Sequence, residues 1–174
     1  MNVFVSGGAK NGKSTFAEDV AKKMAHEKSL PLYYVATMIP HDKEDEKRIR
    51  RHVISRAGKG FETIEQGRNI LDVLKEYSGV FLLDSVTALL SNEMFQEDGC
   101  VDFAAGERVR EELVEFAKRG KNVVFVSDYI YSDANHFEDL SDEYRKSLAH
   151  IDRALAEICD KVYEASFGQI KEWK

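Results

Sequence analysis

Two prolines and two cysteines in 174 residues are the most conspicuous shortages in this chain. Cys100 and Cys159 stand far apart and outside any metal-ligand spacing, so the expectation is two reduced thiols rather than a disulfide framework or a zinc site. Pro31 and Pro40 mark no linker, and there is no repeat or low-complexity segment, so one domain over residues 1–174 is expected. No apolar run approaches the roughly 18 residues of a membrane span. The opening "MNVFVSGG" has neither the basic start nor the cleavage site of a signal peptide, which points to the cytoplasm. Positive charge is also short: 25 Lys and Arg against 31 Asp and Glu leave a formal charge of −6. That balance argues against a general nucleic-acid binder, although a local basic patch survives it.

What is present is an alternation of short apolar runs with longer amphipathic ones. "NVFVS" (2–6), "LYYVAT" (32–37), "FETIE" (61–65), "VFLLD" (80–84) and "NVVFVS" (122–127) read as strands. Helical spacing follows the first run at Phe16, Val20 and Met24 and recurs over 42–56, around 70–74, and over 86–95, 103–119 and 144–159. "KVYEASF" and "QIKEW" read as a closing pair of strands, and 128–142 as a polar loop leading into the last helix. Strands alternating with helices require crossover connections, hence an α/β domain with a mostly parallel sheet.

"GGAKNGKS", residues 7–14, satisfies G-x-x-x-x-G-K-[ST] between an expected strand and an expected helix. Glycines let the loop's N–H groups turn inward toward phosphate oxygens, and the following helix adds its positive end. Lys13 is then placed to neutralise β- and γ-phosphates, and the Ser14 hydroxyl to hold Mg²⁺. Asp84 ends a fully apolar strand, where the carboxylate completing such a magnesium site belongs; alone, it would equally suit a turn or a helix cap. An NTP-binding P-loop domain is the reading these features support together.

"RIRRHVISR", residues 48–56, sets one histidine among four arginines. On a helix Arg48, His52 and Arg56 are four apart and share a face, with Ile49 and Val53 on the neighbouring face to dock it on the sheet. Two guanidiniums around an imidazole suit a polyphosphate and favour the neutral ring, whose free nitrogen can attack phosphorus. Read alone, the stretch also fits a solvated basic face with an incidental histidine.

The order "GGAKNGKS", "YVAT", Asp42 and Glu44 ahead of "RIRRH", then "DSVTALLSN" resembles the cobinamide kinase/cobinamide-phosphate guanylyltransferase family through about the first 95 residues. The resemblance implies a RecA-like P-loop NTPase fold, a homotrimer and a corrinoid substrate. It also implies two activities in cobalamin nucleotide-loop assembly: phosphorylation of adenosylcobinamide with ATP or GTP, and GMP transfer from GTP through a covalent histidine. By that match Gly7, Gly8, Ala9, Lys10, Asn11, Gly12, Lys13 and Ser14 form the phosphate loop, and Ala36, Thr37 and Met38 line the nucleotide site. His52 is the guanylylated nucleophile, Val53, Ile54, Ser55 and Arg56 adjoin the nucleotide, Glu65 accepts the guanine N–H groups, and Asp84 is the acid ending its strand.

Past residue 127 the pattern departs. The family's N-E-V-G-x-G-I-V-P is here "DYIYSDANH", and R-D-x-x-G-x-x-N-Q is "RKSLAHIDR", where only the arginine remains. Nucleotide chemistry is therefore expected to be kept, with the acceptor-facing part rewritten. Two other readings stand beside it: a P-loop kinase of another small alcohol, and a nucleotide-binding regulatory protein without transferase activity.

Overall fold

The computed structural model describes residues 1–40, 43–96, 98–131 and 139–174; the side chains of Arg48, Arg51, His52, Ser55 and Asp139 lie outside that description. Along the chain run β1 (Val3–Gly7), α1 (Lys13–Lys28), β2 (Leu32–Ala36), α2 (Lys43–Arg56) and β3 (Glu62–Glu65). A 3-10 turn (Ile70–Asp72) leads into the one-turn α3 (Val73–Glu76), then β4 (Val80–Asp84), α4 (Val86–Met94), α5 (Ala105–Gly120) and β5 (Val123–Asp128). The chain closes with α6 (Asp139–Ile158), β6 (Lys161–Ser166) and β7 (Gln169–Glu172).

Among the described residues, seven strands join one sheet in the order β3-β2-β4-β5-β1-β6-β7. Every pairing is parallel except the terminal β6–β7 hairpin. The central strands are covered on both faces, which is why they read as unbroken apolar runs rather than alternating ones. One face packs on α1 through Ala17, Ala21 and Met24, whose small residues bring that helix close to Val3, Val5, Leu82 and Val124. The other face packs on α4, α5 and α6 around Phe81, Phe116 and Phe125, with ring centroids 5.5 Å and 6.4 Å apart along that series. Burying each such ring contributes on the order of 2–3 kcal/mol.

Two local readings of the sequence change in the structure. The helix expected around 70–74 is only the 3-10 turn and α3. Asn69 enters it in a left-handed conformation (φ 50), and Tyr77 turns extended so that the Val80 N–H can reach the Pro31 carbonyl at 2.8 Å. Helix α2 does not dock through Val53, which is 51% exposed, because the cleft described below lies between this helix and the sheet.

Candidate nucleotide-binding site

The C-terminal ends of β1, β2, β4 and β5 open on one side of the sheet, the position where ligands bind in open α/β folds. A cleft of about 1190 Å³ lies there, closed on its far side by α2. The 7–14 loop leaves β1 and enters α1 through Gly12, whose φ of 85° a side chain would strain. The loop is tightly wound, since a Cβ on Gly8 would lie 2.9 Å from the Asn11 side-chain nitrogen. Ala9, Lys10, Lys13 and Ser14 all border the cleft.

Lys13 is held in a definite place. Its Nζ pairs with Asp128 Oδ1 at 2.6 Å and donates to the Gly8 carbonyl at 3.3 Å, and the side chain is 10% exposed. Asp128 ends β5, which lies next to β1, so sheet order alone carries it to the phosphate loop. The apolar run in the sequence stops at Ser127, one residue short of the strand's end, and by itself gives Asp128 no role. The available signal was that "VVFVSD" ends in an acid just as "VFLLD" does.

Asp84 borders the same cleft, and its Oδ2 accepts the Tyr34 hydroxyl at 2.9 Å. Burial, followed by the adjacent Asp84 charge, pushes the Tyr34 hydroxyl well above the ordinary phenol range, so Tyr34 acts as a fixed donor. Above the Tyr34 ring lies Arg56, its Cζ 3.4 Å from the ring centroid. Arg56 is 6% exposed, and its Nε and Nη1 have no hydrogen-bond partner among the described residues. Leaving buried donors unpaired costs about 1–3 kcal/mol each, so a guanidinium held flat on a ring with free N–H edges is prepared for an anion. The turn after α2 is anchored by Lys59, which pairs at 2.5 Å with the buried Glu18 of α1.

Glu65 at the tip of β3 and Met38 after β2 also line the cleft, beside Ala36. Thr37 is buried: its hydroxyl donates to the Ser85 carbonyl at 2.8 Å and accepts from the Ser85 N–H at 2.7 Å. Asn92 of α4, the last residue of "DSVTALLSN", donates to the Thr37 carbonyl at 2.7 Å and the Gly67 carbonyl at 2.8 Å, tying together the segments that follow β2 and β3. Thus Lys13, Ser14, Ala36, Met38, Arg56, Glu65 and Asp84 are brought to one cleft. Val53 and Ile54 are not; they are 51% and 74% exposed and lie outside its lining. Arg48, His52 and Ser55 sit in α2 with side chains outside the described set, and Arg50 borders the cleft from its exposed position. Among the described residues no group of three or more His, Cys, Asp or Glu could hold a metal ion.

Solved structures of the same architecture include a protein from Pyrococcus horikoshii OT3 (TM-score 0.54, 12% identity, 99% of this chain and 85% of that one). They also include the ATPase domain of G40P (TM-score 0.52, 13% identity, 94% and 68%). With the seven-stranded sheet and the 7–14 loop, these establish the RecA-like P-loop NTPase fold. Among curated proteins, the bifunctional adenosylcobalamin biosynthesis protein CobP of Pseudomonas aeruginosa is 28% identical over 166 residues, covering 93% of this chain and 91% of its own length. The family profile described as cobinamide kinase / cobinamide phosphate guanyltransferase matches residues 3–172, and the chain belongs to that family.

Proposed function

We propose that residues 1–174 form one nucleotide-binding domain that transfers GMP from GTP to adenosylcobinamide phosphate through a covalent histidine, and also phosphorylates adenosylcobinamide using ATP or GTP. The observation that carries this reading is the convergence of Lys13, Ser14, Arg56, Glu65 and Asp84 on one cleft. These residues have the chemistry a guanosine triphosphate needs: cations for the polyphosphate at one end and a carboxylate for two guanine N–H donors at the other.

In this reading Lys13 exchanges Asp128 for β- and γ-phosphate oxygens, and the unpaired N–H edge of Arg56 holds a phosphate oxygen near the reacting phosphorus. Asp45, Ile49 and Arg56 border the cleft from α2, and position 52 falls on the same helical stripe at spacings of four, three and four. Neutral His52 attacks the α-phosphorus, an N–P bond forms, and pyrophosphate leaves with the electron pair of the broken P–O bond. A phosphate oxygen of the acceptor then attacks the same phosphorus and releases the imidazole. Ser14 and Asp84 are the oxygen donors on this cleft that would hold a magnesium ion, since such ions take few protein ligands. Bound there, the metal supplies charge stabilisation for the leaving pyrophosphate. By family resemblance the enzyme works as a cytoplasmic homotrimer on a corrinoid substrate.

Turnover tests the assignment. With adenosylcobinamide phosphate and Mg²⁺–GTP, the protein is expected to release pyrophosphate and GDP-linked cobinamide in equal amounts. Sustained pyrophosphate release beyond one equivalent per chain without the corrinoid, or none at all, contradicts it.

A further inference from the structure

GMP transfer needs no proton acceptor. A neutral imidazole attacks first, and the phosphate that attacks next is already an anion at neutral pH. Phosphorylation of an alcohol differs, because the attacking oxygen carries a proton that has to leave. Asp128, at the end of β5, is placed to take it. Its side chain borders the nucleotide cleft and is 33% exposed, and its Oδ1 lies 2.6 Å from Lys13 Nζ. A carboxylate beside a triphosphate weakens nucleotide binding by repulsion, so its presence there calls for a use that the phosphates alone do not supply.

The backbone around this acid is fixed on two sides. The Asp128 N–H donates to the Thr87 hydroxyl at 2.9 Å, and the Tyr144 hydroxyl donates to the Thr87 carbonyl at 2.9 Å, tying the end of β5 to α4 and α6. The next N–H, that of Tyr129, donates to the Gly7 carbonyl at 3.0 Å, at the start of the phosphate loop. Among the described residues, the titratable groups that face Asp128 are Lys13, Tyr144 and Asp152. Tyr144 is a neutral phenol, raised first by burial and then by the Asp128 charge. Asp152 of α6 is 3% exposed; burial raises its carboxyl from 3.8 to about 7, with the Ser127 and Tyr131 hydroxyls pulling the other way and Asp128 adding to the rise. Lys13 is thus the one cation in this group, and it is the group that the polyphosphate claims.

We propose that Asp128 is the proton acceptor of the kinase reaction, released from Lys13 when the triphosphate takes that lysine. The inference rests on the kinase half of the proposed function. A lysine bonded to β- and γ-phosphate oxygens keeps a carboxylate on its other side within about 5–6 Å of them, which leaves room for one attacking hydroxyl between. The hydroxyl oxygen forms a bond to the γ-phosphorus, and the bond from that phosphorus to the bridging oxygen breaks. The nucleoside diphosphate leaves with the electron pair, and the hydroxyl proton passes to Asp128. Asp84 is less suited, since it accepts the Tyr34 hydroxyl at 2.9 Å and is the acid assigned to magnesium. The competing role for Asp128 is a second magnesium contact, which would serve both reactions alike.

Both reactions are measured on one preparation at saturating nucleotide: phosphorylation of adenosylcobinamide with Mg²⁺–ATP, and GMP transfer from Mg²⁺–GTP to supplied adenosylcobinamide phosphate. In Asp128→Asn the ratio of kinase kcat to transfer kcat should fall by about 100-fold or more, with little change in the KM for adenosylcobinamide. Asp128→Ala should show the same fall, and added formate should restore part of the ratio by supplying a carboxylate in the vacated space. An unchanged ratio in Asp128→Asn, whether both rates hold or both fall together, overturns the proposal; a shared fall makes Asp128 a magnesium or framework residue. Formate that fails to raise the ratio in Asp128→Ala also counts against a proton acceptor. A wild-type protein that transfers GMP but never phosphorylates adenosylcobinamide removes the kinase half of the proposed function and this role with it. A wild-type kinase matched by the variant removes the role alone.

Discussion

Replacing Asp128 by asparagine tests whether the phosphate-loop lysine is held in reserve by an internal anion. Lys13 Nζ and Asp128 Oδ1 are 2.6 Å apart, with the lysine side chain 10% and the aspartate 33% exposed. At an effective dielectric near 20 this separation gives roughly 6 kcal/mol of attraction before solvation is counted. Desolvation of both groups and the partial exposure of the carboxylate reduce the net value to about 1–2 kcal/mol. A triphosphate that displaces Asp128 gives up that amount and also meets a negative charge close to its own. Asp128→Asn should therefore bind GTP about tenfold more tightly and, without nucleotide, be less stable by about 1 kcal/mol because Lys13 keeps its burial and loses its anion. Equilibrium titration gives the first quantity, and denaturant unfolding with and without GTP gives the second. Weaker GTP binding in this variant would refute the reasoning and place Asp128 among the groups that serve the bound nucleotide.

Arg56→Lys keeps the charge but loses both the ring stacking and the forked donors, so GTP affinity should fall by about tenfold with little change in unfolding midpoint; unchanged affinity would mean the free guanidinium edge meets no phosphate. Glu65→Gln offers the guanine one acceptor and a clashing donor in place of a carboxylate, so preference for GTP over ATP in transfer assays should drop by about tenfold or more. The acid at 152 makes a third prediction through pH. Its folded value of about 7 exceeds the ordinary 3.8, so the folded state holds a proton that the unfolded state releases between those values. Stability should accordingly decline as pH rises across that window and level off above it, and Asp152→Asn should flatten the decline in urea titrations.

The parts of the fold that local pattern controls were legible in the sequence. The 7–14 loop was framed by an apolar strand and a helix-period run, and "VFLLD" placed Asp84 at a strand end where the structure also has it. Helix α3 was not legible because Ile70, Leu71 and Leu74 show helical spacing, while the chain must turn extended at Tyr77 to start β4. The role of Asp128 was hidden for a different reason. It depends on β5 lying beside β1, and strand order comes from crossover packing rather than from any window of residues. Tyr34 and Arg56 show the same limit: 22 residues separate them in the chain, and only the return of α2 over β2 stacks one on the other. Asp152 did leave a trace, since it interrupts the apolar stripe of Leu148 and Leu155, but its burial against the Tyr131 and Ser127 hydroxyls is a property of the packed structure.

The most direct test of the central claim is covalent labelling with GTP carrying radiolabel at the α-phosphate, followed by denaturation and peptide mapping. The expected result is one acid-labile, base-stable adduct on the peptide containing His52, absent from His52→Ala, and discharged when adenosylcobinamide phosphate is added. A protein that turns over the corrinoid without ever carrying label, or a His52→Ala variant that is still labelled, would contradict it.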